Sequence, residues 1–213
     1  MKALLVYSGG LDSTTLLYEY RDSIALAVSF DYGSKHNARE LSYAALNCKK
    51  LGIRHLVIPL GFIGQYFTSD LLLSGGDIPE GSYADENMKS TVVPFRNGIM
   101  LAIAAGLAES YELEAIMLAN HSGDHAIYPD CRPEFIDAFS AAVEAGTYNG
   151  VKLLSPYCNL TKRDIALRGQ ALGVDFSLTY SCYKGGEKHC GKCGTCTERK
   201  EALAGFDPTL YEQ

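Results

Sequence analysis

The sequence has no apolar run of bilayer-spanning length, no excess of basic residues, no internal repeat, no low-complexity tract and no linker-like stretch. The first absence argues against a transmembrane helix, which needs about 20 consecutive apolar residues. The second argues against a broad nucleic-acid surface, because a formal net charge of −6 offers no stripe of cations to neutralise phosphates. Lys2 leads directly into a strand-like segment, without the layout of a signal peptide. A cytoplasmic protein that handles small molecules, with no nucleic acid and no membrane as partner, is therefore expected. Disulfides are not expected in that reducing compartment, although the chain carries 7 cysteines.

What is present is enough for one substantial core: 213 residues, 47% of them apolar and 21% charged. That length is too short for two ordinary domains and suggests one domain, residues 1–178, with an appendage at 179–213. Short apolar runs at residues 2–7, 24–30, 54–60, 115–118 and 151–154 read as buried strands. Between them, residues 12–21, 37–51, 95–111, 133–146 and 161–172 carry apolar positions at helical spacing, and 195–203 adds a helix near the end. Residues 61–91 are glycine-rich and weakly periodic. Leu101, Ala104, Ala105 and Ala108 form a small-residue face suited to close packing on a sheet. Strands alternating with helices predict an α/β fold, a doubly wound parallel sheet, because parallel neighbours need crossover helices and both faces must be covered. Ligands of such sheets bind at the carboxyl ends of the strands.

Tyr7-Ser8-Gly9-Gly10-Leu11-Asp12-Ser13-Thr14 lies where the first strand passes into the first helix. Free backbone N–H groups and the positive end of the helix dipole converge there, and two glycines let the backbone curl around an anion. Ser8, Ser13 and Thr14 add hydroxyl donors. The plainer reading is a tight turn in which Asp12 or Ser13 caps the helix. The lysine of a GK[ST] ending is missing, so cleavage at a γ-phosphate is not expected.

Near the C-terminus Cys182, Cys190, Cys193 and Cys196 form the pattern Cx7CxxCxxC. Two overlapping CxxC steps bring three thiolates around one ion and Cys182 supplies a fourth, a closed tetrahedral set that suits structural zinc; an iron–sulfur cluster also accepts four cysteines, but the knuckle-like spacing favours zinc. His189 is adjacent to Cys190 and is read as a neighbour rather than a ligand.

Two further segments precede helices. In Tyr128-Pro129-Asp130-Cys131-Arg132-Pro133, Asp130 is a candidate cap for the helix opened by Pro133; in Val93-Pro94-Phe95-Arg96-Asn97, Asn97 is a candidate cap. Taken with SGGLDS at 8–13, DYGSKH at 31–36 and SCYKGGEKHCGKCGTC at 181–196, they resemble the 7-cyano-7-deazaguanine synthase family, whose SGGLDS string is similar to the PP-loop of the ATP pyrophosphatases (adenine nucleotide alpha hydrolase-like fold). Ser34-Lys35 stands where that family usually has Gln-Arg, Tyr180 where Trp or Leu is commoner, and Ala126-Ile127 where Ser-Gly precedes the tyrosine.

The resemblance implies a C–N forming ligase that converts 7-carboxy-7-deazaguanine and ammonia to the nitrile, through an adenylated acid and then an adenylated amide. It implies ATP held by residues 7–14, with magnesium reconciling Asp12 with the diphosphate, and zinc in the tail. Lys162, read alone as a solvated helix residue, resembles the late lysine of PP-loop enzymes; with Asp12, Arg96 and Arg132 it makes the candidate catalytic set. Arg96, Asn97, Asp124, Tyr128, Asp130 and Arg132 are candidate substrate contacts, and His36 or Asp124 is a candidate acceptor of the proton from ammonia. A homodimer and an external source of ammonia are implied as well. The alternative is another PP-loop enzyme, either a tRNA thiolase with Cys131 as its cysteine or a variant acting on a protein or DNA.

Overall fold

The computed structural model describes residues 1–82 and 86–212. Strand β1 (Ala3–Val6) lies at the centre of the sheet, paired on one side with β2 (Ile24–Asp31) and on the other with β4 (Ala115–Met117). Strand β3 (Arg54–Pro59) extends the sheet beyond β2, and β5 (Lys152–Leu154) extends it beyond β4. All pairs are parallel, in the order β3-β2-β1-β4-β5. The chain thus winds outward in one direction from β1, returns, and winds outward in the other. The reversal point is the crevice between β1 and β4.

Successive strand residues face opposite sides, and the two cores follow that alternation. Leu4, Leu26, Val28, Ile116 and Leu153 pack with Leu101, Ala104 and Ala108 of α4 (Arg96–Ser110) and Ile136 and Val143 of α5 (Pro133–Gly146). On the other face Leu5, Ala27 and Met117 pack with Leu16 and Leu17 of α1 (Leu11–Glu19), Ala44 of α2 (Asn37–Leu51) and Ile165 of α6 (Lys162–Ala171). Each such buried leucine, isoleucine, valine or methionine contributes on the order of 1.5–3 kcal/mol from area removed from water, and the alanines less. The predicted small-residue face of α4 lies against β1 and β4.

Local signals set the helix ends. Thr161 and Asp164 form a reciprocal capping box at α6, with the Asp164 N–H donating to Thr161 Oγ1 at 3.2 Å and the Thr161 N–H to Asp164 Oδ2 at 3.0 Å. The weakly periodic stretch holds α3 (Gly61–Tyr66) and a 3-10 turn at Glu86–Thr91; residues 83–85 lie outside the described residues. On length and mean hydropathy Asn87–Ser110 would suffice to cross a bilayer, as the buried core helix of a soluble protein also can, although Lys89 and Arg96 interrupt its apolar run. In the fold it is split into the 3-10 turn and α4, and half of it is buried.

Two helix caps differ from expectation. Asp130 does not cap α5, whose N-cap is Arg132 without a side-chain bond; its Oδ2 accepts the Asn97 N–H at 2.7 Å and so serves the first turn of α4. Asn97 is not a cap either, because α4 is entered through Phe95 in the left-handed region, φ 52°. A carboxylate from a distant turn has replaced the local cap.

The tail folds back onto the glycine bend. Tyr180 N–H donates to Gly9 O at 3.2 Å, and its ring stacks on Tyr43 of α2. Arg199, in α7 (Gly194–Ala202), is fully buried and donates to Phe176 O, Ser181 Oγ and Thr209 Oγ1. It ties the tail to itself and to the preceding segment, rather than hydrogen-bonding the cysteine sulfurs.

Candidate active site and metal centre

The bend after β1 is shaped by packing beneath it. Gly9 has φ +86°, and a Cβ there would lie 2.4 Å from Glu40 O and 3.0 Å from Ala44 N of α2, so only glycine lets the bend lie down on that helix. Gly10 N–H donates to Ser8 Oγ at 3.1 Å, and Ser8 Oγ meets Ser13 Oγ at 2.9 Å. Tyr7 and Thr14 bond each other at 3.1 Å below the bend, where burial pushes the Tyr7 phenol up. Leu11 is buried in the core. The N-cap of α1 is Gly10, with no side-chain bond. Asp12 and Ser13 are therefore not its cap, and the first-turn N–H groups stay available to an anion.

This bend opens into a cleft of about 1100 Å³, measured out to its mouth, at the reversal point of the sheet. Tyr7, Ser8, Asp12, Ser13, Asp124 and Lys162 line one end. Lys162 Nζ lies 3.2 Å from Asp12 Oδ2 and 2.8 Å from Glu198 Oε2. Burial works against its charge, but Asp12, Glu198 and Asp124 outweigh that and hold the ammonium well above its ordinary range. His121 Nε2 lies 3.8 Å from Asp12 Oδ2 and 3.7 Å from Asp124 Oδ1. Asp12 Oδ1 is buried with no hydrogen-bond partner among the described residues.

Arg96 occupies the other end, its guanidinium 5.6 Å from the Tyr32 ring centroid and donating to Tyr32 Oη at 3.2 Å. Burial opposes its charge, while Tyr32, Tyr183, Tyr128 and Asp130 raise it. Tyr128 and Tyr183 hydroxyls lie 3.0 Å apart. Beside them Glu40, its carboxylate 3.5 Å from His36 Nε2, is pushed up to about 8 by burial against the lowering effect of Arg96. His36 is pushed down to about 3 by burial and by Arg96, which leaves it a poor acceptor for a proton from ammonia.

Of the residues singled out from the sequence, the cleft brings together Tyr7, Ser8, Asp12, Ser13, His36, Arg96, Asn97, Asp124, Tyr128 and Lys162. Gly9, Gly10, Leu11 and Thr14 shape the bend from behind. Asp130 is spent on Asn97, and Arg132 donates from the surface to His125 O at 2.8 Å, both outside the residues lining the cleft. Cys131 reaches the cleft, but burial pushes its thiol up and Asn97 Nδ2 donates to it at 3.0 Å. It is not an activated nucleophile.

Sequence reading missed Tyr32, Glu40, His121, Tyr183 and Glu198. Glu40 carried one usable signal, its i,i+4 spacing from His36 on α2. Glu198 carried none, since TERK after the last cysteine reads as a solvated helix.

Cys182, Cys190, Cys193 and Cys196 are all buried, and their sulfurs lie within 4.8 Å of one another. Backbone N–H groups of Cys190 and Cys193 donate to Cys182 Sγ and Cys190 Sγ, each at 3.3 Å, an arrangement that favours thiolates. Four sulfurs at this spacing fit a tetrahedral ion, and the cluster could hold zinc. His189 is not a ligand: its Nε2 accepts the Ser181 N–H at 3.1 Å.

A solved structure titled as an NMN synthetase, from Francisella tularensis, shares the fold, with a TM-score of 0.50 at 14% identity over 87% of this chain and 68% of that one. Curated relatives named 7-cyano-7-deazaguanine synthase are 68% identical in Porphyromonas gingivalis, over 99% of this chain and 97% of the relative, and 55% identical in Desulfotalea psychrophila, over 98% of each. The family model described as queuosine biosynthesis protein QueC matches residues 2–207, and with these relatives it establishes that the chain belongs to the QueC family of 7-cyano-7-deazaguanine synthases.

Proposed function

We propose that this chain is an ATP-dependent ligase that converts 7-carboxy-7-deazaguanine and ammonia to 7-cyano-7-deazaguanine. The observation that carries the mechanism is one cleft with an uncapped glycine bend and Lys162 at one end and Arg96 among tyrosines at the other. A carboxylate must be activated before ammonia can displace oxygen from it. In the proposed sequence the acid attacks the α-phosphorus of ATP and expels pyrophosphate; ammonia displaces AMP to give the amide; a second adenylation on the amide oxygen and loss of AMP leave the nitrile.

Residues 7–14 and Lys162 would hold the β,γ-diphosphate, aligning the α-phosphorus for attack and stabilising the charge that develops. Asp12 Oδ1, buried and unpartnered among the described residues, fits an oxygen donor to magnesium, which would offset repulsion between that carboxylate and phosphate. Arg96 would pair with the acid or the α-phosphate, with Asn97 and Tyr128 lining the same space. Asp124 and His36 both line the cleft, and Asp124 is the remaining candidate for the proton from ammonia, because burial and Arg96 hold His36 well below its ordinary range. Asp130 and Arg132 would act by shaping α4 and the neighbouring turn rather than by touching substrate.

The zinc-bound tail, residues 179–213, would complete a unit whose nucleotide-binding part is residues 1–178, in a cytoplasm that keeps its thiols reduced. Val57, Phe62, Tyr66 and Leu73, exposed on and beside edge strand β3, support a homodimer. A thiolase reading is not favoured, because Cys131 lacks the electropositive setting that activates a thiol.

Purified, metal-loaded protein incubated with ATP, magnesium, ammonium and 7-carboxy-7-deazaguanine should form first the amide and then the nitrile, read by mass spectrometry. With oxygen-18 in the substrate carboxylate, label should appear in AMP. No product, or label in orthophosphate, would overturn the proposal.

A further inference from the structure

Glu198 belongs to the tail helix, yet its carboxylate meets Lys162, which lines the glycine-bend end of the cleft. It is 14% exposed; its Oε2 accepts from Lys162 Nζ at 2.8 Å, and its Oε1 lies 4.0 Å from His121 Nε2. A Cβ built on Gly123 would come within 2.9 Å of Glu198 Oε1 and 2.8 Å of His121 Cε1. The carboxylate thus lies between the 121–123 turn and the first turn of α6, where a side chain at position 123 would crowd it. It stands two residues past Cys196, on a helix whose N-cap is Cys193, so the cysteine centre fixes the base from which it reaches.

An ammonium has three donors. With Asp12 as its single partner, Lys162 would collapse into a closed pair beside the bend. Shared between Asp12 at 3.2 Å and Glu198 at 2.8 Å, it is held between two elements and keeps a third donor for a phosphate oxygen. Two carboxylates also compensate the desolvation of a cation that is only 11% exposed.

We infer that Glu198 is a positioning residue for Lys162, so that the cysteine-anchored tail is part of the phosphate-binding machinery as well as a structural closure. The inference rests on the proposed reading that the glycine bend holds ATP.

The test uses the full-length, metal-loaded protein and its variants Glu198→Gln, Glu198→Asp, Lys162→Met and the double variant Lys162→Met with Glu198→Gln. Binding of a non-hydrolysable ATP analogue is followed by calorimetry, kcat and KM by product formation, and metal content and Tm serve as controls. Glu198→Gln should keep its metal and lower kcat/KM for ATP roughly tenfold, within the range of coupled neighbours, and Glu198→Asp, which keeps the charge, should recover part of the loss. The double variant should be no worse than Lys162→Met alone, because Glu198 acts through that lysine. Additive losses in the double variant, or wild-type kinetics and analogue binding in Glu198→Gln, would overturn the inference. If Glu198→Gln fails to fold, Glu198→Asp decides: wild-type kinetics and analogue binding in it overturn the inference. A wild-type protein that does not bind the analogue would instead sink the reading of the bend itself.

Discussion

Glu40 shows how one largely buried carboxyl, its side chain 15% exposed, sets a pH response. It faces His36 at the N-cap of its own helix and Tyr32 and Arg96 across the cleft, and its folded value of about 8 lies above the 4.5 of a free carboxyl. Between those values the folded chain keeps a proton that the unfolded chain gives up. The stabilisation is complete below about pH 4.5 and is lost as pH rises through about 8. Glu40→Gln mimics the protonated side chain, so its Tm should exceed that of the wild type by a margin that grows from about pH 5 to pH 9. The rise from 4.5 to about 8 corresponds to about 5 kcal/mol at about 1.36 kcal/mol per pH unit, so at about 2–4 °C per kcal/mol for a chain of this size the added margin should be on the order of 10 °C. His36, held near 3, does not titrate in that window. A margin that stays constant with pH, measured by thermal melts of both proteins, would refute the assignment.

At the scale of elements, α7 and the cysteine loop are the part least able to hold itself together without an ion. The helix has nine residues and begins at the cysteine centre, too short to persist by its own hydrogen bonds. Cys193→Ser removes one of four thiolates and, because a structural site contributes its binding energy to folding, should release the metal and lower Tm by roughly 10 °C or more. Metal analysis and a melting curve unchanged from wild type would contradict this. Lys35 plays a comparable part for the loop after α3, donating to the carbonyls of Asp70, Leu72 and Gly76 at 2.5, 2.9 and 2.7 Å. Lys35 thus clasps that loop, and the close approach of Lys35 O to Gly185 joins it to the tail.

For the whole molecule, the order β3-β2-β1-β4-β5 leaves β3 as an edge, and an open edge with exposed apolar side chains tends to be covered. A homodimer formed there should sediment at twice the chain mass of 23.1 kDa, and Val57→Lys with Phe62→Glu should shift it to monomer without abolishing the melting transition. A wild-type protein that sediments as a monomer at working concentration would contradict the dimer.

The sequence alone determined the alternation of strands and helices, the glycine bend, the cysteine pattern and several helix ends, such as the Thr161–Asp164 box and the opening of α5 at Pro133. Each of these depends on residues a few positions apart, whose torsions, periodicity and caps are settled locally. The tertiary structure decided which side chains meet across the crossovers. It placed Glu198 on Lys162, moved Asp130 from its own helix to Asn97, turned Arg132 away and buried Glu40 beside Arg96. Those outcomes depend on how far each crossover carries the chain before it returns to β1, and burial and electrostatic coupling between such distant residues exist only once the two faces have closed.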